Sequence, residues 1–206
     1  MIDYEKLSKE HFNKQAPVYD SNNSWYYSKE GKISSHFIRD YLKNLNFNKL
    51  LDVGCGTAFL IDLLSKGHDA NFYGLDLSDK MIEIAKSKDI KNAEFVVGKS
   101  NELPYEDNTF DIVVCSQSFH HYPYQDEAVD EVYRVLKKGG LYILSDSGLG
   151  GFSAWFDNNI LFKLLRSGDC KITNRKGIEK ILKNHNFTIT ESIQMSFMIY
   201  CVIGKK

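Results

Sequence analysis

No Cys-x-x-Cys pair occurs in the chain, and its four cysteines, Cys55, Cys115, Cys170 and Cys201, lie far apart. Without paired spacing or a nearby histidine at zinc-site distance they form neither a disulfide framework nor a cysteine metal centre, and no metal is expected. They read as reduced, mostly buried thiols. A charge excess is also missing, since Lys and Arg number 26 against 27 for Asp and Glu. The electrostatic footprint of a nucleic-acid binder is therefore absent, and no nucleic-acid partner is expected. The first residues, Met1-Ile2-Asp3-Tyr4-Glu5-Lys6, mix charges without an apolar core, unlike a secretory signal. The longest apolar run near the end, residues 197–203, is far short of the roughly 18 residues that span a bilayer. Repeats and low-complexity tracts are lacking, and the expected location is the cytoplasm.

What is present is organised around residues 50–60, where an apolar run stops at Asp52, turns on Gly54 and Gly56, and restarts as an apolar helix. That pattern predicts a strand, a tight loop and a helix. In an open α/β sheet it places a glycine loop at the carboxyl end of a strand, where the backbone can approach a ligand and helix amides point at it. A second apolar run, Asn71-Phe72-Tyr73-Gly74-Leu75, ends in Asp76, 22 residues after Gly54. An acid there is placed to accept hydrogen bonds from ribose hydroxyls. NAD and S-adenosylmethionine (SAM) both carry such a ribose. A dinucleotide fingerprint wants a third glycine at position 59, where the chain has Phe59. A pyrophosphate favours the full pattern and the amino-acid tail of SAM does not need it, so Phe59 argues against an NAD-dependent oxidoreductase.

Further motifs follow in order. Leu51-Asp52-Val53-Gly54-Cys55-Gly56-Thr57 and Gly74-Leu75-Asp76-Leu77-Ser78-Asp79-Lys80-Met81 resemble the first two motifs of the class I SAM-dependent methyltransferases. Glu102-Leu103-Pro104 with Phe110-Asp111-Ile112-Val113-Val114 resembles the third and fourth, and Arg134-Val135-Leu136-Lys137-Lys138-Gly139-Gly140 the fifth. Phe12, Ala16, Tyr19 and Asp20 resemble the segment that folds over the SAM pocket in the menaquinone and ubiquinone biosynthesis branch of that family. The resemblance implies an α/β fold: a doubly wound, Rossmann-like, seven-stranded, mostly parallel sheet with the last strand antiparallel, N-terminal helices and a helical insertion after strand five. It implies a SAM-dependent transfer of a methyl group to a small-molecule acceptor by direct displacement, with a SAM-binding protein without catalysis as the alternative.

The 206 residues, 43% hydrophobic, suffice for one domain. Its expected parts are a helical cap (1–47), a SAM-binding core (48–147), a hydrophobic insertion (148–170) and a closing helix and hairpin (171–206). Pro17 is expected to end the first helix, Ser28 to cap the second, Gly67 to close a helix over 57–65, and Ser78 or Asp79 to cap the next. A helix over 126–136 is expected to carry Glu131 and Arg134 as a surface pair and to stop at Gly139-Gly140, before a strand over 141–146. The apolar stretch 152–165 is open to packing on the sheet, a lid over an acceptor, or a homodimer contact. A last helix starts at Thr173 or Asn174, followed by a hairpin of 188–192 and 197–203.

The resemblance implies a cofactor set of Asp52, Gly54, Cys55 and Gly56, then Asp76, Leu77 and Met81, then Ser100 and Asn101, with Ser116 and Tyr19. Direct displacement asks chiefly for orientation. A cationic sulfur favours carbonyl oxygens and aromatic faces, for which the backbone at Cys115-Ser116 and the ring of Tyr19 are candidates. His120 and His121 are the only histidine cluster in the chain and the candidates for removing an acceptor proton. One position departs from the family: its loop after the third strand commonly carries an acid that accepts from the adenine amino group, and here stands Lys99. An ammonium cannot accept, so Lys99 is expected to turn to solvent and Ser100 or Asn101 to read the base.

Overall fold

A computed structural model describes residues 3–21, 29–148, 151, 156–162 and 168–206. The Ser28 cap, the polar stretch at 22–24 and most of the apolar segment 152–165 lie outside the described residues.

The centre of the sheet follows from strands that are apolar on both sides. Leu51 and Val53 of β1 (Lys49–Val53) and Val113 and Cys115 of β4 (Phe110–Ser116) supply one core, while Leu50, Ile112 and Val114 supply the other. Strands buried on both faces pair in parallel in the interior of a sheet, and β1 and β4 do so. With β2 (Asn71–Asp76), β3 (Ala93–Val97), β5 (Leu136–Ser147), β6 (Thr188–Gln194) and β7 (Ile199–Lys205) they form a seven-stranded sheet in the order β3-β2-β1-β4-β5-β7-β6. Strand β7 is inserted between β5 and β6 and runs antiparallel to both, as the resemblance implies for the last strand.

The helices are α1 (Tyr4–Tyr19), α2 (Lys29–Leu42), α3 (Phe59–Ser65), α4 (Asp79–Ser87), α5 (Gln125–Val135) and α6 (Arg175–Asn184). Ile38 and Leu42 of α2, Leu60, Ile61 and Leu64 of α3 and Ile82 and Ala85 of α4 cover one face. Val129 and Val132 of α5 with Ile178 and Leu182 of α6 cover the other. The chain steps outward from β1 to β3 and then crosses to β4, so strand order reverses between the carboxyl ends of β1 and β4. Ligands of such sheets bind at that reversal.

Ser78 caps α4 and Asn174 caps α6, each accepting from the third amide on. Elsewhere tertiary contacts override local signals. Pro17 does not stop α1, which runs two residues further. Proline removes one backbone bond, and beyond it Asp20 accepts from Thr57 Oγ1 at 2.6 Å and pairs with Lys88 at 2.7 Å, which hold the last turn in place. Helix α3 begins at Phe59 rather than Thr57, because Ala58 takes a left-handed φ of 65°. Gly67 follows the helix as expected, its amide bonded to Leu64. The pair Gly139-Gly140 is not the end of α5 but part of β5, at an irregularity opposite Phe110 and Ile112 where Gly139 takes a φ of 83°. Glu131 and Arg134 are more than a surface pair: Glu131 accepts from the Leu103 amide at 2.7 Å, and Arg134 donates to the carbonyls of Leu103 and Tyr105 at 3.0 and 2.7 Å. Together they clasp the loop that leaves β3.

Helix α1 is attached differently from the others. Its fully buried residues are only Ser8 and Ala16. Asn13 donates to Asp79 at 3.1 Å and accepts from Ser78 Oγ at 2.6 Å, Lys9 pairs with Asp79 at 3.1 Å, and Glu5 pairs with Lys99 at 2.7 Å.

Candidate active site

The loop after β1 is shaped by positive φ at Gly54 (78°) and Gly56 (53°). The amides of Gly54 and Cys55 both reach the carbonyl of Leu75, and that of Gly56 reaches Asp76 Oδ2 at 2.8 Å. A Cβ on Gly54 would lie 2.3 Å from Ser118 Oγ and 2.8 Å from Tyr122 Oη, so that position is closed from behind. A Cβ on Gly56 would meet only Tyr19, at 3.8 Å, and would project into open space.

The facing wall comes from the chain after β4. Ser118 and Tyr122 both donate to the carbonyl of Val53, at 3.1 and 2.9 Å, which ties this segment to the end of β1. Between them runs a short 3-10 turn, Phe119–His121. Asp146 at the end of β5 accepts from the His120 amide at 2.9 Å and meets His120 Nδ1 at 2.6 Å. The turn at 168–171 closes in from a distant part of the chain, with the amides of Cys170 and Lys171 on the His120 carbonyl. It brings Asp169 Oδ1 to 3.6 Å from His120 Nε2 and 3.3 Å from His121 Nδ1. The ring of Phe12 from α1 stands edge-on to His121, centroids 4.9 Å apart.

These elements line one crevice at the strand-order reversal. Of the residues anticipated from sequence, Tyr19, Gly54, Cys55, Gly56, Asp76, Leu77, Met81, Ser100, Ser116 and His121 line it. Asp52, Asn101 and His120 do not stand on its wall. Asp52 is buried behind the loop, where burial and then the neighbouring Asp76 push its carboxyl up to about 8. Burial lowers the pKa of His120, but the charge and hydrogen bond of Asp146 at its Nδ1, with the charge of Asp169, together more than offset it and raise the pKa. Burial first and the charge of His120 second push His121 down to about 3, so it is neutral at ordinary pH. Lys99 is on the rim but does not turn free into solvent, since Glu5 holds it across to α1. Sequence reasoning gave Phe12, Ser118 and Tyr122 no role of their own, and it missed Asp146 and Asp169 as site residues altogether.

Residues 51–144 match the family described as a methyltransferase domain. The demethylmenaquinone methyltransferase of Listeria welshimeri is 31% identical over 153 residues, 70% of this chain and 64% of that protein. Its counterpart in Bacillus mycoides is 41% identical over 102 residues, 47% of this chain and 43% of that protein. The chain therefore spans less than two thirds of the length of these curated relatives. The crystal structure of a SAM-dependent methyltransferase from Aquifex aeolicus shares the fold, with a TM-score of 0.67 at 18% identity over 100% of this chain and 99% of that one.

Over residues 51–144 in sequence, and in fold over its whole length, the chain is similar to SAM-dependent methyltransferases. The crevice suits SAM on two counts. The hydroxyl of Ser116 is buried on the wall without a hydrogen-bond partner, and the space over Gly56 is a cradle that any side chain would fill. Among the described residues no helix is long and apolar enough to cross a membrane.

Proposed function

We propose that the chain transfers a methyl group to a small-molecule acceptor, and that the observation carrying this reading is the convergence of the glycine loop, Asp76, Ser116 and His121 on one crevice at the strand-order reversal. When bound, SAM supplies an electrophilic methyl group on a cationic sulfur. Gly54, Cys55 and Gly56 would hold its amino-acid tail, Asp76 its ribose, and Leu77, Met81 and Ser100 its base, with Asn101 behind them. Ser116 and the ring of Tyr19 would lie nearest the charge. Asp52, behind the loop, would act by fixing it. His121 would face the acceptor, with His120 behind it. The relatives named as demethylmenaquinone methyltransferases make a demethylated quinone the first acceptor to try. Incubation with methyl-labelled SAM, with that acceptor and with a metabolite pool, is expected to give a labelled product. Bound SAM with no label transferred to any acceptor would favour a SAM-binding protein without turnover. Phe156 and Ile160, exposed between β5 and α6, mark where a second copy of the chain would dock.

The pair Lys99–Glu5 bears on how the base is read. Changing Lys99 to Asp alone would set two carboxylates against each other, so the informative variant combines Lys99→Asp with Glu5→Gln. Recovery of one acceptor for the adenine amino group is expected to tighten SAM binding by about 1 kcal/mol, roughly fivefold. Calorimetric titration is the check. Affinity that stays level or falls would show that the loop meets the base in another way, with Asn101 the next residue to change.

A further inference from the structure

We propose that His120, His121 and Asp169 bind a divalent transition-metal ion, zinc in the first instance, at the margin of the crevice. The three residues present ligand atoms that all lie within 4.8 Å of one another. Asp169 Oδ1 is 3.6 Å from His120 Nε2 and 3.3 Å from His121 Nδ1. Ligands about 2.0 to 2.1 Å from a tetrahedral zinc stand roughly 3.3 to 3.4 Å apart, so the cluster needs little movement to close on an ion. Two imidazoles and a carboxylate are a donor set for zinc and its first-row neighbours rather than for calcium or magnesium.

The surroundings are those of a built site. Asp146, 1% exposed, meets Nδ1 of His120 at 2.6 Å, and this leaves Nε2 to face Asp169. A carboxylate behind a histidine in this way orients the ring and raises its strength as a ligand. His121 Nδ1 is buried and has no hydrogen-bond partner, a cost that ligation of an ion would remove. Asp169 is held by its turn: the next two amides bond to the His120 carbonyl. Gly168, at a φ of 91°, packs so closely on α1 that a Cβ would lie 2.6 Å from Ser8 Cα. Three protein ligands leave a fourth position open, as in catalytic rather than structural zinc sites. Since His121 lines the crevice while its Nδ1 is buried, the ion would sit behind the crevice wall and fix the His121 ring where it faces an acceptor. This use rests on the methyl-transfer reading; occupancy of the site by metal does not.

The test is titration of cobalt(II), a coloured stand-in for zinc, into the chelator-treated full chain, followed by displacement with zinc. The wild type is expected to give the visible bands of four- or five-coordinate cobalt at one ion per chain. Asp169→Asn and His121→Gln should abolish the bands and weaken zinc by more than about 100-fold, and Asp146→Asn should weaken it about 10- to 100-fold. A cooperative thermal transition checks that each variant folds. His121→Cys supplies a different ligand at the same place, and should keep the ion while adding a sulfur-to-cobalt absorption that a merely structural histidine would not. Absence of bands in the wild type, or equal affinity in wild type and Asp169→Asn, would overturn the proposal. SAM affinity of the metal-free wild type is measured separately, so its loss would count against the methyl-transfer reading alone.

Discussion

Replacement of Asp76 by alanine is expected to raise the dissociation constant for SAM roughly 10- to 150-fold, about 1.5 to 3 kcal/mol. The carboxylate does two things at once. One oxygen accepts from the Gly56 amide and the other from the Ser78 amide, each at 2.8 Å, so it pins the glycine loop to the start of α4. Burial raises its pKa, and the amides of Ser78, Gly56 and Leu77 pull it back toward the charged form that a ribose needs. Its remaining lone pairs are the acceptors offered to sugar hydroxyls. Alanine removes them together with both loop ties, which places the loss toward the upper end of the range. Asp76→Asn keeps one acceptor oxygen and should fall between the two. Calorimetric titration with SAM decides it, and an unchanged dissociation constant would remove Asp76 from the site.

Gly54→Val should cost both binding and stability. The sequence alone suggests that a side chain at Gly54 would block the ligand and spare the fold. The structure points its Cβ the other way, into Ser118 and Tyr122 at 2.3 to 2.8 Å. A branched residue there meets left-handed backbone strain of about 1 to 2 kcal/mol and overpacking of about 1 to 3 kcal/mol. A loss of about 2 to 5 kcal/mol in urea unfolding is expected, with no SAM binding detectable. Gly56→Ala is the contrasting case, because its Cβ would stand in the open crevice. It should weaken SAM binding at a stability loss near 1 kcal/mol. Should Gly54→Val unfold at the wild-type midpoint, the wall of Ser118 and Tyr122 is softer than its contacts indicate.

The sheet and the glycine loop were legible because their signals are local. An apolar run ending in Asp52, two glycines at one spacing and an acid at the end of the next run each report on a few neighbouring residues. What could not be read was brought together by the fold. Asp146 and Asp169 are ordinary acids in the sequence, and only the pairing of β4 with β5 and the return of the 168–171 turn place them on His120. Pro17 and Gly139-Gly140 were misread because both were taken as local stop signals. Asp20 has partners on α3's loop and α4 that outweigh the first, and a strand irregularity accommodates the second. Lys99 was assigned to solvent because its partner, Glu5, lies 94 residues earlier.

The way α1 is fastened has a kinetic side. Glu5, Ser8, Lys9, Phe12 and Tyr19 form part of the crevice wall, so widening the crevice means parting the contacts of Glu5, Lys9 and Asn13 with Lys99, Ser78 and Asp79. These are ion pairs and polar bonds at the surface, weakened by dissolved salt that leaves the apolar cores untouched. The rate at which a ligand enters or leaves is thereby uncoupled from the stability of the sheet beneath it. The ionic strength of the surrounding medium becomes a throttle on ligand exchange, acting through a helix that loosens without the sheet unfolding.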